Sequence, residues 1–124
     1  MRLLLDTHLL LWALGSPSRL SPDVRAQLDA AEVFVSAASI WEISIKTALG
    51  KLDADPASVL SALAPAGFAL LPVLGEHAVT VARLPPIHRD PFDRMLVAQA
   101  VSEPMRLLTR DATLRAYGSL VTVV

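Results

Sequence analysis

The apolar positions of this chain fall into short continuous blocks separated by segments of helical periodicity. Leu3-Leu4-Leu5 runs straight into Asp6-Thr7-His8, after which the apolar run resumes. Such a run, ended by a polar cluster, predicts a buried parallel strand feeding a helix. Val33-Phe34-Val35 predicts a second strand, stopping at Ser36. Phe68 to Leu71, continuing to Val73 but interrupted by Pro72, predicts a third that ends there or lies at an edge. Leu107-Leu108-Thr109 and Leu120 to Val124 predict the last two.

Helical segments lie between these blocks. A short first helix ends in the loop Gly15-Ser16-Pro17-Ser18. Ser21-Pro22-Asp23 has the cap, first-turn proline and acid of a helix start, and that helix ends near Asp29. Ala37 to Leu49 is closed by Gly50, with Lys46 and Lys51 towards its carboxyl end. Asp55-Pro56 caps a helix that Gly67 terminates, and Glu76 to Leu84 is stopped by Pro85-Pro86. Asp90-Pro91-Phe92-Asp93 begins a helix through about Val101, and Asp111 to Tyr117 forms a short one. Strands alternating with helices of these lengths predict an α/β fold, a three-layer α/β/α sandwich around a central parallel sheet.

That topology puts all strand ends on one side, where open α/β sheets bind ligands. Asp6 ends the first strand, and Glu42 lies early in the helix after the second. Asp93 is in the first turn after the Pro-Pro loop, and Asp111 follows the fourth strand. Asp6 and Asp111 read singly as helix caps and Asp93 as a first-turn acid, whereas Glu42, embedded in Ile40-Trp41-Glu42-Ile43 on the way into the core, is harder to read as a solvated glutamate. Gathered together they repel, and need either protons or a cation. Oxygen-only ligands in a chain without cysteine select Mg2+ or Mn2+ over zinc. Carboxylates holding such ions suit phosphoryl chemistry. Thr7 and Thr109, and less directly Ser36 and Ser39, are placed to support the acids, or else simply to cap helices.

Composition narrows the field. With 124 residues and no cysteine, the chain is expected to form one domain without disulfides or thiolate chemistry. It is 53% hydrophobic, yet no apolar run approaches the roughly 20 residues of a membrane span. Met1-Arg2 leads directly into the first strand, so no signal peptide and a cytoplasmic location are expected. The net charge of −1 gives no global basic footprint. Arg83, Arg89, Arg94, Arg106, Arg110 and Arg115 nevertheless crowd the last third among Asp90, Asp93 and Asp111. They read as a salt-bridged face or as a cationic rim suited to a phosphodiester backbone. His8 reads as structural, with a substrate contact from the start of the first helix as the alternative, His77 as a surface residue, and His88 as a loop residue close enough to contact substrate or partner. No glycine loop for phosphates and no Ser/His/Asp arrangement is present.

Four segments together resemble the PIN-domain family, in particular VapC-type toxin ribonucleases. They are Leu3-Leu4-Leu5-Asp6-Thr7-His8, Ser36-Ala37-Ala38-Ser39-Ile40-Trp41-Glu42-Ile43, Leu84 to Ala100 with His88-Arg89-Asp90-Pro91-Phe92-Asp93-Arg94, and Leu107-Leu108-Thr109-Arg110-Asp111. The resemblance covers essentially the whole chain. It implies a metal-dependent endoribonuclease cleaving RNA by a metal-activated water, the toxin of a type II toxin–antitoxin pair. It also implies Mg2+ or Mn2+ as cofactor, a homodimer, and a cognate antitoxin that blocks the site. By position, Asp6, Glu42, Asp93 and Asp111 match the family's acidic quartet, with Asp90 read as the helix cap beside Asp93, the reverse assignment of these two being the alternative. Thr7 and Thr109 would support the acids, and Arg89, Arg94 or Arg110 would face the RNA backbone. The Asp53 to Gly67 region and Trp12 to Leu14 are expected docking surfaces. The rival reading is a non-catalytic PIN-like module binding RNA or protein. Haloacid-type phosphatases want a second aspartate where His8 stands, and receiver domains want an acid pair and a lysine that are missing here.

Overall fold

The first strand shows why the sheet is buried on both sides. Leu3 and Leu5 project to one face, where they pack with Leu9, Val24, Val33 and Leu108. Leu4 projects to the other, against Leu96, Val97, Ala100 and Leu107. All three leucines are fully buried, each stabilising the fold by about 1.5–3 kcal/mol relative to an exposed position. A strand packed this way needs helices on both faces.

The computed structural model describes residues 1–124. Strands β1 (Arg2–Leu5), β2 (Glu32–Ser36), β3 (Phe68–Leu71), β4 (Arg106–Thr109) and β5 (Val121–Val123) form one parallel sheet in the order β3-β2-β1-β4-β5. Helices α1 (Thr7–Gly15), α2 (Pro22–Ala30), α3 (Ala37–Ala48), α4 (Pro56–Ala62), α5 (Gly75–Arg83) and α6 (Pro91–Ser102) flank it, with 3-10 turns at Pro17–Arg19 and Ala112–Tyr117. This is the α/β architecture expected from the alternation of blocks. The chain winds outward from β1 through β2 to β3, then crosses back to place β4 beside β1. That reversal opens a crevice at the carboxyl ends of β1 and β4, the usual ligand position in such sheets.

Local chemistry sets the boundaries. The Ser21 and Ser36 hydroxyls accept from the backbone N–H groups of Val24 and Ala38, capping α2 and α3. Gly50 follows α3 at φ 72°, a left-handed geometry that favours glycine. The short helix expected after Asp111 is present and of the 3-10 type. Two expectations are corrected. The helix begun at Pro56 stops at Ala62, and the chain turns through buried Leu63 to Gly67. His77 is not a surface residue but is fully buried. Its Nδ1 accepts from the Leu74 N–H at 3.0 Å, and its Nε2 lies 2.6 Å from the Glu103 carboxylate, tying α5 to α6. No helix is long and apolar enough to cross a membrane.

Candidate active site

Asp6 follows the last residue of β1, which pairs with Leu108 of β4. Both readings of this residue hold in one geometry. Its Oδ1 accepts from the Leu9 N–H at 2.8 Å, capping α1. Its Oδ2 turns to β4, accepting from the Thr109 hydroxyl at 2.7 Å and the Arg110 N–H at 2.8 Å. Thr109 Oγ1 also accepts from the Asp111 N–H at 3.0 Å, so one hydroxyl links two acids. The carboxylate is only 5% exposed and is locked by donors on both oxygens. Each oxygen accepts about two hydrogen bonds or ligands, so Oδ1 keeps a free lone pair.

Glu42 reaches the same edge from α3 and is buried. Thr7 Oγ1 donates to its Oε1 at 2.6 Å, and Lys46, one turn on, pairs with its Oε2. That hydrogen bond holds the Lys46 ammonium above its usual pKa, with burial opposing.

Asp90, Asp93 and Asp111 complete the cluster. Asp90 Oδ1 accepts from the Phe92 and Asp93 N–H groups, so Asp90 is the cap of α6 and Asp93 its first-turn acid. Asp93 accepts no hydrogen bond on its side chain, and His88 Nε2 lies 3.7 Å from its Oδ2. Burial is the main cause that pushes its pKa up to about 7. Asp90, Glu42 and Asp6 add to the rise, and His88 opposes it. Asp111 caps the 3-10 turn through Thr113, whose hydroxyl donates to Oδ1 at 2.7 Å. That bond, with His88 adding, holds the Asp111 carboxyl below its ordinary range.

These side chains line one open pocket of about 410 Å3, together with Thr7, His8, Trp12, Lys46 and Arg110. Five carboxylates there face only Lys46 and Arg110 as full cations, and Lys46 is committed to Glu42. The carboxylate donors fit a hard divalent cation: all oxygen, prearranged by fixed donors, with Asp93 accepting no hydrogen bond of its own. By the same count each acid keeps acceptor capacity: Asp6 on Oδ1, Glu42 on both oxygens, Asp90 and Asp111 on Oδ2, and Asp93 on both.

The three arginines divide. Arg110 is at the pocket, its guanidinium against the Trp12 ring at 4.8 Å and donating to the Val124 carbonyl. Arg89 lies outside the pocket and is exposed. Arg94, expected to face the RNA backbone, donates instead to the carbonyls of Val81, Pro85 and His88 and to the Tyr117 hydroxyl. A planar fork with five N–H donors bridges that many acceptors where a lysine cannot. Ser36 is a cap, and the Ser39 hydroxyl is buried without a partner. Sequence reasoning gave Lys46 no place in the site, although a lysine four residues after a glutamate is a recognisable helical pair.

The crevice at the reversal of strand order, its converging acids and the all-parallel sheet set the frame for comparison. A family model described as PIN domain matches residues 3–120. The chain belongs to the PIN-domain family. No curated protein matches it in sequence. Among solved structures, this PIN domain is similar to a VapBC2 structure from Rickettsia felis bound to a promoter DNA fragment, with 12% identity and a TM-score of 0.74 over 100% of this chain and 98% of the other. It is also similar to FitAcB from Neisseria gonorrhoeae, at 25% identity and TM-score 0.64, covering 96% and 95% of the two chains. A toxin–antitoxin complex from Klebsiella pneumoniae matches at 17% identity and TM-score 0.66, covering 97% and 95%. At such identities the likeness to the first and third is one of fold.

Proposed function

We propose that this PIN domain, residues 1–124 working as one domain, is a Mg2+- or Mn2+-dependent endoribonuclease. In this reading it is the toxin of a type II toxin–antitoxin pair, acting in the cytoplasm. The observation that carries the proposal is the convergence of acids from four distant segments around Asp93, a carboxylate that accepts no hydrogen bond and has only His88 Nε2 nearby, at 3.7 Å. Asp6 and Asp93 would hold the ion, with Glu42 and Asp111 completing the site. When bound, the ion supplies Lewis-acid stabilisation of phosphoryl oxygens and a more acidic water.

The chain's own residues do the rest. Thr109 and the Arg110 N–H fix the Asp6 carboxylate, Thr7 fixes Glu42, and the caps at Asp90 and Asp111 hold the loops that carry the acids. Lys46 offsets the Glu42 charge, so the site tolerates its acids before an ion arrives. Arg110, at the rim, is placed to meet a phosphate of the RNA, with Arg89 further out. Arg94 is committed to the loop and has no place in substrate binding.

Protein partners belong to the same proposal. Similarity to toxin–antitoxin complexes supports a cognate antitoxin. The apolar groove formed by Trp41, Val73, Val81, Phe92 and Met95, in which Trp41 is 61% exposed, supports a protein contact such as a homodimer. The nuclease is tested by incubating total RNA with the purified chain in Mg2+, Mn2+ or chelator, beside Asp6→Asn. Discrete fragments that vanish with chelator and in the variant are expected. Cutting that persists in Asp6→Asn, or no cutting in either ion, overturns the proposal and favours a non-catalytic binding module.

A further inference from the structure

His88 lies in the Pro-Pro loop and reaches into the acidic cluster with a single defined orientation. Its Nε2 is 2.9 Å from Asp111 Oδ2 and 3.7 Å from Asp93 Oδ2, so it stands between two of the proposed ion-binding acids. A histidine among carboxylates suggests a nitrogen ligand for the ion. The other ring nitrogen excludes that role. Nδ1 accepts the Asp90 backbone N–H at 3.0 Å, so Nδ1 carries the lone pair and the neutral ring carries its proton on Nε2. A ring in that tautomer donates to carboxylates through Nε2–H and has no lone pair there for an ion.

The loop around His88 is built to keep this orientation. The His88 N–H donates to the Tyr117 hydroxyl at 3.0 Å, and the Arg94 guanidinium donates to the same hydroxyl at 3.2 Å. Arg94 also reaches the His88 and Pro85 carbonyls and the Val81 carbonyl of α5. The guanidinium therefore holds the histidine's backbone from both sides, and the Asp90 N–H fixes the ring. At the receiving end, Asp111 Oδ1 is filled by the Thr113 N–H and hydroxyl, which leaves Oδ2 to be oriented by His88 alone.

We infer that His88 is a positioning residue of the acidic site, donating a hydrogen bond from its Nε2–H to Asp111 so that this half-buried carboxylate is turned towards the ion held by Asp6 and Asp93. The inference rests on the nuclease reading above. It assigns Arg94 and Tyr117 to the same task, one step further out. Partners that orient ion-binding groups are worth about 10–100-fold in affinity or activity when removed.

The test compares His88→Ala with His88→Gln, whose amide N–H reaches the position of Nε2. In the metal-free parent, nitrogen-15 NMR is expected to show His88 protonated at Nε2 and bare at Nδ1. His88→Ala is expected to lose about 10–100-fold in Mn2+ affinity by calorimetry and in kcat on RNA, with KM little changed. His88→Gln is expected to recover most of both, while the two variants unfold at the same denaturant concentration. A proton on Nδ1 in the metal-free protein overturns the inference. So does a His88→Ala variant that binds and cuts like the parent, or a His88→Gln variant as impaired as His88→Ala. A parent that neither binds Mn2+ nor cuts RNA overturns the nuclease reading itself, a result distinct from any of these.

Discussion

Asp93 is held in the folded protein at a cost that only an ion or a proton removes, and this makes Asp93→Asn stabilising. The acid sits among Asp90, Glu42 and Asp6, half out of solvent, and its side chain accepts no hydrogen bond that asparagine would lose. Its pKa is raised from 3.8 to about 7. A group that binds its proton more tightly when folded makes stability fall as pH rises from about 4 through 7, and the loss persists above. At about 1.4 kcal/mol for each tenfold change in proton affinity, the rise sets an upper limit of about 4 kcal/mol. The side chain is 22% exposed, and solvent screening brings the expected gain to about 1–3 kcal/mol. Urea unfolding in chelator at pH 8 should therefore show Asp93→Asn with its midpoint raised by about 1 M, for a slope of about 1–3 kcal/mol/M. The gain should shrink markedly at pH 4.5, where the parent carries its proton. Saturating Mn2+ should reverse the ranking, since an ion at about 1,000 times its Kd stabilises the parent by about 4.1 kcal/mol, more than the variant gains. A variant less stable than the parent at pH 8, or a gain of equal size at both pH values, refutes the reasoning.

Thr109→Val removes the hydroxyl shared by Asp6 and Asp111, and should cost about 1–3 kcal/mol in denaturant unfolding because a buried carboxylate oxygen and a backbone N–H lose a partner. Arg94→Lys keeps the charge but loses the fork across the loop carbonyls. It should lower stability by about 1–3 kcal/mol, and a variant as stable as the parent contradicts the clamp. Because a proton on Asp93 competes with the ion, Mn2+ affinity by calorimetry should fall below pH 7 by up to about tenfold per pH unit, with protons released on binding.

The parts of the fold that follow from local chemistry were legible in the sequence. The leucine run of β1, the Ser21 and Ser36 caps and the break at Pro72 all act within a few residues of themselves. Asp6, Glu42, Asp93 and Asp111 could be grouped because a parallel sheet puts every strand end on one side, while separating Asp90 from Asp93 needed the cap geometry of α6. What stayed hidden depends on partners far away in sequence. His77 reads as a surface residue until Gln99 of α6 and Glu103 at its carboxyl cap close over it. Arg94 reads as a free cation until the loop before it folds back and offers its carbonyls. His88 needs both Asp90 beside it and Asp111 across the crevice before its tautomer has meaning. The order β3-β2-β1-β4-β5, which opens the crevice, is likewise a property of long-range pairing.

The central claim is that the converging carboxylates make one divalent-cation site centred on Asp6 and Asp93. Calorimetric titration of the parent, Asp6→Asn and Asp93→Asn with Mn2+ at pH 7.5 tests it most directly. Saturable binding by the parent that is lost in both variants is the predicted result. A parent that takes up no Mn2+, or variants that bind it as tightly as the parent, would contradict the claim.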